Sequence, residues 1–112
     1  MKKIEAVIRP EKYDIVSNAL EKAGCSGLMI TEVEGHGKQK GVIQQWRGEK
    51  YKIGLLPKIK LEIVVKDTEV ERITKIIIDN AKTGEVGDGK IFIYEIEDVI
   101  RIRTEEKGEQ AI

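Results

Sequence analysis

Ile59 to Ala81 reads Ile-Lys-Leu-Glu-Ile-Val-Val-Lys-Asp-Thr-Glu-Val-Glu-Arg-Ile-Thr-Lys-Ile-Ile-Ile-Asp-Asn-Ala, and its hydrophobic period changes partway along. Ile59, Leu61, Ile63 and Val65 alternate with Lys60, Glu62, Val64 and Lys66, the period of a half-buried strand. From Thr68 the apolar positions become Val70, Ile73, Ile77 and Ala81, a helical stripe, and Thr68 with Glu71 has the spacing of a capping box. The stretch is a strand feeding a helix, and after the glycines of 82–90 a second apolar strand, Ile91 to Ile96, completes a βαβ unit.

The N-terminal third repeats that order. Ile4, Ala6 and Ile8 alternate with Glu5, Val7 and Arg9 until Pro10 ends the strand. Val16, Ala19, Leu20 and Ala23 then form a helical stripe closed by Gly24. Leu28 to Glu34 is the next strand, with Met29, Thr31 and Val33 on one face, and Gly35-His36-Gly37 ends it. Two βαβ units separated by a long loop give an α+β, ferredoxin-like split βαβ: one antiparallel sheet with two helices on one face. The other face holds Val7, Met29, Val33, Val64 and Phe92, which two helices on the opposite side cannot cover, so an oligomer is expected. Val99 to Arg103 reads as a short additional strand before a polar tail.

Composition bounds the function. The 112 residues suit one domain, and 20 Lys and Arg balance 20 Asp and Glu. With 40% hydrophobic residues, a chain of this size buries roughly 65% of its unfolded surface, which argues against disorder. Zero net charge argues against a surface that coats nucleic acid or an anionic membrane. No uncharged stretch approaches the ~20 residues of a membrane span, and the opening residues lack a signal-peptide apolar run, so a cytoplasmic location is expected. One cysteine, Cys25, and one histidine, His36, leave no Cys-pair metal site and almost no ligands for zinc.

The charge is nevertheless uneven. The loop of residues 37–56 has no sustained period, and loops of that length in small domains are usually functional or disordered. Between His36 and Lys60 there are seven basic residues, Lys38, Lys40, Arg47, Lys50, Lys52, Lys58 and Lys60, against Glu49 alone. A basic arm carrying Trp46 and Tyr51 suits an anion or a protein partner, and two aromatics are too few to favour nucleic acid. His36 lacks the neighbours of a catalytic triad. Cys25 reads as an inert small residue.

Thr83-Gly84-Glu85-Val86-Gly87-Asp88-Gly89-Lys90 carries the other candidate chemistry. Its glycines allow backbone amides to approach an anion and Lys90 adds charge, although the Walker A spacing is absent; a plain helix cap and Asp-Gly turn is the competing reading. Arg101 and Arg103, two residues apart, would share one face of the short strand and suit a polyphosphate, or else be solvated arginines.

These motifs together match a known pattern. The chain resembles the PII nitrogen-regulatory signal-transduction proteins, most closely their GlnK-like branch. The resemblance runs from Met1-Lys2-Lys3-Ile4-Glu5-Ala6-Val7-Ile8-Arg9-Pro10 through Trp46-Arg47-Gly48-Glu49-Lys50-Tyr51 and Leu56-Pro57-Lys58 to Thr83–Phe92 and Val99–Thr104. It implies a single domain over 1–112, with a long basic loop 37–56, a Gly-rich turn 82–90 and a C-terminal strand and tail 97–112, assembled as a homotrimer. It also implies a non-enzymatic sensor of ATP or ADP and 2-oxoglutarate that controls an ammonium transporter, or a nitrogen-assimilation enzyme such as glutamine synthetase, through the loop. By matched position, Met29, Gly35, Gly37, Lys38, Glu62, Val64, Gly87, Asp88, Gly89, Lys90, Arg101 and Arg103 would bind nucleotide. Gly37, Gln39, Lys40, Gly41 and Lys58 would bind 2-oxoglutarate, with Gln39 also serving Mg²⁺ held by ATP. Arg47 and Trp46 would meet the partner, and Tyr51 is the position some relatives uridylylate. Lys38 replaces the usual arginine and lacks its bidentate fork; Met29 replaces a threonine near the base, and Trp46 replaces a tyrosine. The alternatives are a PII-like trimer sensing another small molecule and a phosphoryl-transfer enzyme on the same scaffold.

Overall fold

A computed structural model of the chain describes residues 1–35, 43–46, 49–52 and 56–112. Strand β1 (Lys2–Ile8) leads through a 3-10 turn, Pro10–Lys12, into helix α1 (Tyr13–Lys22), and β2 (Met29–Gly35) follows. Pro10 sits at the first turn because its fixed φ suits a helix start and its missing N–H costs nothing there. Strand β5 (Leu56–Val65), helix α2 (Val70–Ala81) and β6 (Lys90–Glu95) form the second unit. The four-stranded sheet has the order β2-β5-β1-β6, and each neighbouring pair is antiparallel. This is the split βαβ expected from the sequence: each crossover helix skips over one strand, so the central strands β1 and β5 come from different halves.

Burial follows the two periods. Ile4, Ala6 and Ile8 of β1 and Leu61, Ile63 and Val65 of β5 face Val16 and Leu20 of α1 and Ile73, Ile77 and Ala81 of α2, all buried. Register makes this one layer, because Ile4 opposes Ile63 and Ala6 opposes Leu61. Burying each large aliphatic side chain contributes about 1.5–3 kcal/mol, so this layer supplies the main driving force. The other sheet face carries Met29 and Phe92, 53% and 44% exposed, among charged side chains. There Lys3 Nζ lies 3.6 Å from Glu62 and 3.7 Å from Glu5, and 4.6 Å from the ring centre of Tyr94. Among the described residues no helix is long and apolar enough to cross a membrane.

Three local expectations are corrected. The loop read as lacking strand structure contains a hairpin of β3 (Ile43–Trp46) and β4 (Glu49–Lys52), in which Ile43 opposes Lys52 and Trp46 opposes Glu49. Four-residue strands are too short to establish a hydrophobic period, and cross-strand hydrogen bonds define them instead. The Thr68/Glu71 capping box does not form: a 3-10 turn, Asp67–Glu69, precedes α2, Glu69 is the N-cap residue and no side chain caps the amides. Asp67 instead holds the N-terminal ammonium at 2.9 Å.

The third correction concerns residues 99–103, which form no strand. The chain turns back on itself with one isolated bridge, Ile100 to Lys107; the Arg101 N–H donates to the Glu106 carbonyl at 2.9 Å and the Glu105 N–H to the Arg101 carbonyl at 2.8 Å. Alternation supplied the pattern, but among the described residues no strand pairs with it. Arg101 and Arg103 therefore do not share a strand face.

Candidate functional site

The Gly-rich segment between α2 and β6 is built around Asp88. Its Oδ2 accepts the Thr83 and Gly84 backbone N–H groups at 2.9 and 2.8 Å, and its Oδ1 accepts the Thr83 hydroxyl at 2.5 Å and Arg9 Nε at 3.0 Å. The Thr83 hydroxyl, the two amides and Arg9 all favour the ionised form and hold this carboxyl well below the usual carboxylate range.

Two cations tie the next carbonyls to the scaffold. Arg9 Nη2 donates to the Val86 carbonyl at 2.8 Å, and Lys58 Nζ, from β5, donates to the Gly87 carbonyl at 2.8 Å. Burial, reinforced by the nearby Arg9 charge, pushes the Lys58 pKa down. In a trans peptide the C=O and the following N–H point in opposite directions, and the described residues contain no cis bond. Drawing in the carbonyls of Val86 and Gly87 therefore turns the amides of Gly87 and Asp88 away from Arg9 and Lys58. Gly87 has φ 104°, a conformation that L side chains rarely adopt. Successive amides presented by such a turn make an anion-binding concavity.

Gly89 presses the turn onto β1. Its φ is 99°, and a Cβ built there would lie 1.7 Å from the Val7 carbonyl oxygen. Lys90 begins β6 opposite Val7, placing a cation at the exit of the turn. Beside Lys58 a groove of about 470 Å³ opens between the ends of β2 and β5, lined by Pro10, Glu32, Val33, Glu34, Pro57 and Ile59.

The structure thus brings Gly87, Asp88, Gly89, Lys90 and Lys58 into one cluster. Glu62 opposes Met29 in the sheet register, Val64 opposes Lys3, and Gly35 ends β2 opposite Leu56. The Asp88 carboxylate is engaged inside the turn by the Thr83 and Gly84 amides, the Thr83 hydroxyl and Arg9. Arg101 is not brought to the turn by a strand; its fork is used within the C-terminal segment, on Glu106 at 2.8 Å and the Gln110 carbonyl at 3.2 Å, and Arg103 is exposed. His36, Gly37, Lys38, Gln39, Lys40, Gly41 and Arg47 lie outside the described residues, as do the side chains of Trp46 and Tyr51. Cys25 packs against the core and burial pushes its thiol pKa up, as an inert residue requires. Among the described residues no cluster of three or more His, Cys, Asp or Glu side chains is placed to hold a metal.

Sequence reading missed Arg9, taken only as the last residue of a strand. Its partners Val86 and Asp88 lie 77 and 79 positions away, so no local pattern marks it.

The fold and this turn define a class first: a ferredoxin-like α+β domain whose glycine turn is tied to the sheet by Arg9 and Lys58. Residues 1–106 match the family model described as Nitrogen regulatory protein P-II. "Nitrogen regulatory protein P-II 2" of Methanothermobacter thermautotrophicus is 53% identical over 112 residues, covering 100% of this chain and 97% of that protein. "Nitrogen regulatory protein P-II" of Haemophilus influenzae is 53% identical and that of Pasteurella multocida 51%, each over 112 residues and 100% of both chains. The chain belongs to the P-II nitrogen regulatory protein family.

Proposed function

We propose that this protein is a non-enzymatic, cytoplasmic nitrogen signal transducer of the GlnK-like type, working as a homotrimer that binds ATP or ADP and 2-oxoglutarate. The observation that carries the reading is the Val86–Lys90 turn, with the Val86 and Gly87 carbonyls held by Arg9 and Lys58 and the Gly87 and Asp88 amides turned away from those two cations, next to Lys90. Such a turn suits the outer phosphates of a nucleotide, and the exposed apolar side chains of the helix-free sheet face suit burial between subunits. Lys58 stands where the turn meets the groove at the base of the long loop, which suits a carboxylate of 2-oxoglutarate. Gln39 would serve both that ligand and the Mg²⁺ carried by ATP. The loop, with Trp46, Arg47 and Tyr51, would engage an ammonium transporter or an enzyme such as glutamine synthetase.

Effectors act in this scheme by differential affinity: each shifts the loop only as far as it prefers one loop state over another. Titration calorimetry with ATP, ADP and AMP, with and without 2-oxoglutarate and Mg²⁺, tests the reading. Binding of ATP with only trace hydrolysis, and 2-oxoglutarate affinity that rises when Mg-ATP is present, is the expected result. Absence of nucleotide binding refutes the sensor, and rapid turnover of ATP refutes its non-enzymatic character.

A further inference from the structure

We infer that Arg9 is a positioning residue for polyphosphate, acting through Asp88 and the Val86 carbonyl to present the turn amides; this inference rests on the nucleotide-binding reading above. Arg9 closes β1 and its side chain is only 13% exposed. One guanidinium spans two points of the turn: Nε meets Asp88 Oδ1 at 3.0 Å and Nη2 meets the Val86 carbonyl at 2.8 Å. Asp88 passes the constraint on by accepting the Thr83 and Gly84 amides and the Thr83 hydroxyl. The same strand also backs the turn at Gly89, where the Val7 carbonyl leaves no space for a Cβ. The consecutive residues Val7, Ile8 and Arg9 therefore fix the orientation of the segment. Only a forked cation does this, since the Nζ of a lysine presents its donors from a single atom.

Positioning and direct phosphate contact predict opposite results for Asp88. Removing a carboxylate near a polyphosphate strengthens binding on Coulombic grounds alone, whereas removing the acceptor that organises the turn weakens it. ATP and AMP titrations of the full chain and its Arg9→Met, Arg9→Lys and Asp88→Asn variants distinguish the two. ATP affinity is expected to fall about tenfold or more in Arg9→Met and in Asp88→Asn, with the double variant no worse than either. AMP, which lacks the outer phosphates, is expected to change less than about threefold on the same scale. Arg9→Lys, which keeps the charge without the fork, is expected to recover little. Amide hydrogen exchange at Thr83 and Gly84, followed without nucleotide, is expected to accelerate in Arg9→Met. Tighter ATP binding by Asp88→Asn, full recovery by Arg9→Lys, equal losses for ATP and AMP, or unchanged exchange at those amides overturns the inference. If the unmodified protein binds no nucleotide but exchange still accelerates, the nucleotide-binding reading fails while the structural link from Arg9 to the turn stands; polyphosphate positioning is then refuted.

Discussion

Gly89→Ala tests whether the glycine turn is held against the sheet by shape. A Cβ at this position would lie 1.7 Å from the Val7 carbonyl oxygen, 2.8 Å from its carbonyl carbon and 3.4 Å from the Ile8 Cα. All three are backbone atoms of β1, whose hydrogen-bonded neighbours on both sides prevent it from yielding by a rotamer change. Two costs therefore combine. Placing a non-glycine residue at φ 99° costs about 1–2 kcal/mol, and forcing a methyl into occupied space adds about 1–3 kcal/mol. A loss of about 2–5 kcal/mol is expected in denaturant unfolding at one fixed protein concentration, since subunit association would otherwise alter the midpoint. Gly84→Ala is the internal control: its φ is 92°, but nothing lies within 4 Å of the built Cβ. It is expected to show the conformational cost alone, about 1–2 kcal/mol. Equal losses for the two variants would refute the close packing of the turn on Val7, and a Gly89→Ala loss below about 1 kcal/mol would refute the left-handed geometry as well.

Asp88 gives a pH test: its folded pKa lies below the ordinary aspartate value of 3.8, so its contribution is present above that value and is lost as pH falls through the folded one. Denaturant midpoints measured from about pH 7 down to about pH 3 should fall less steeply in Asp88→Asn than in the parent, and parallel profiles would contradict the hydrogen-bonded carboxylate. Ile77 and Ile78 are neighbours in sequence but 2% and 46% exposed. Ile77→Ala should cost about 2–5 kcal/mol of unfolding free energy and Ile78→Ala less than about 1 kcal/mol, and similar losses would place the helix face incorrectly. Lys90→Ala should weaken ATP about ten- to hundredfold more than AMP in calorimetry, the size of one charge-assisted contact to an outer phosphate, and equal losses would assign Lys90 to the fold.

The alternation of Ile59–Val65 and the helical stripe of Val70–Ala81 were legible because each states which side of one element is apolar, and burial of that side is the largest stabilising term available to it. The same logic located β1, α1, β2 and β6 and identified the split βαβ pattern. Glycine spacing likewise marked residues 83–90 as a turn. Local pattern failed where formation depends on a partner: Val99–Arg103 alternates but pairs with no strand among the described residues, Thr68 lies inside a 3-10 turn instead of capping α2, and the β3–β4 hairpin has no hydrophobic period. The site shows the same division. Gly87, Gly89 and Lys90 were visible as residue types, but the direction of the turn amides depends on Arg9 and Lys58, brought in from β1 and β5. Only folding brings Arg9 to Asp88 across 79 positions, because a side chain's partner is determined by strand register and helix packing, which no window of local sequence contains.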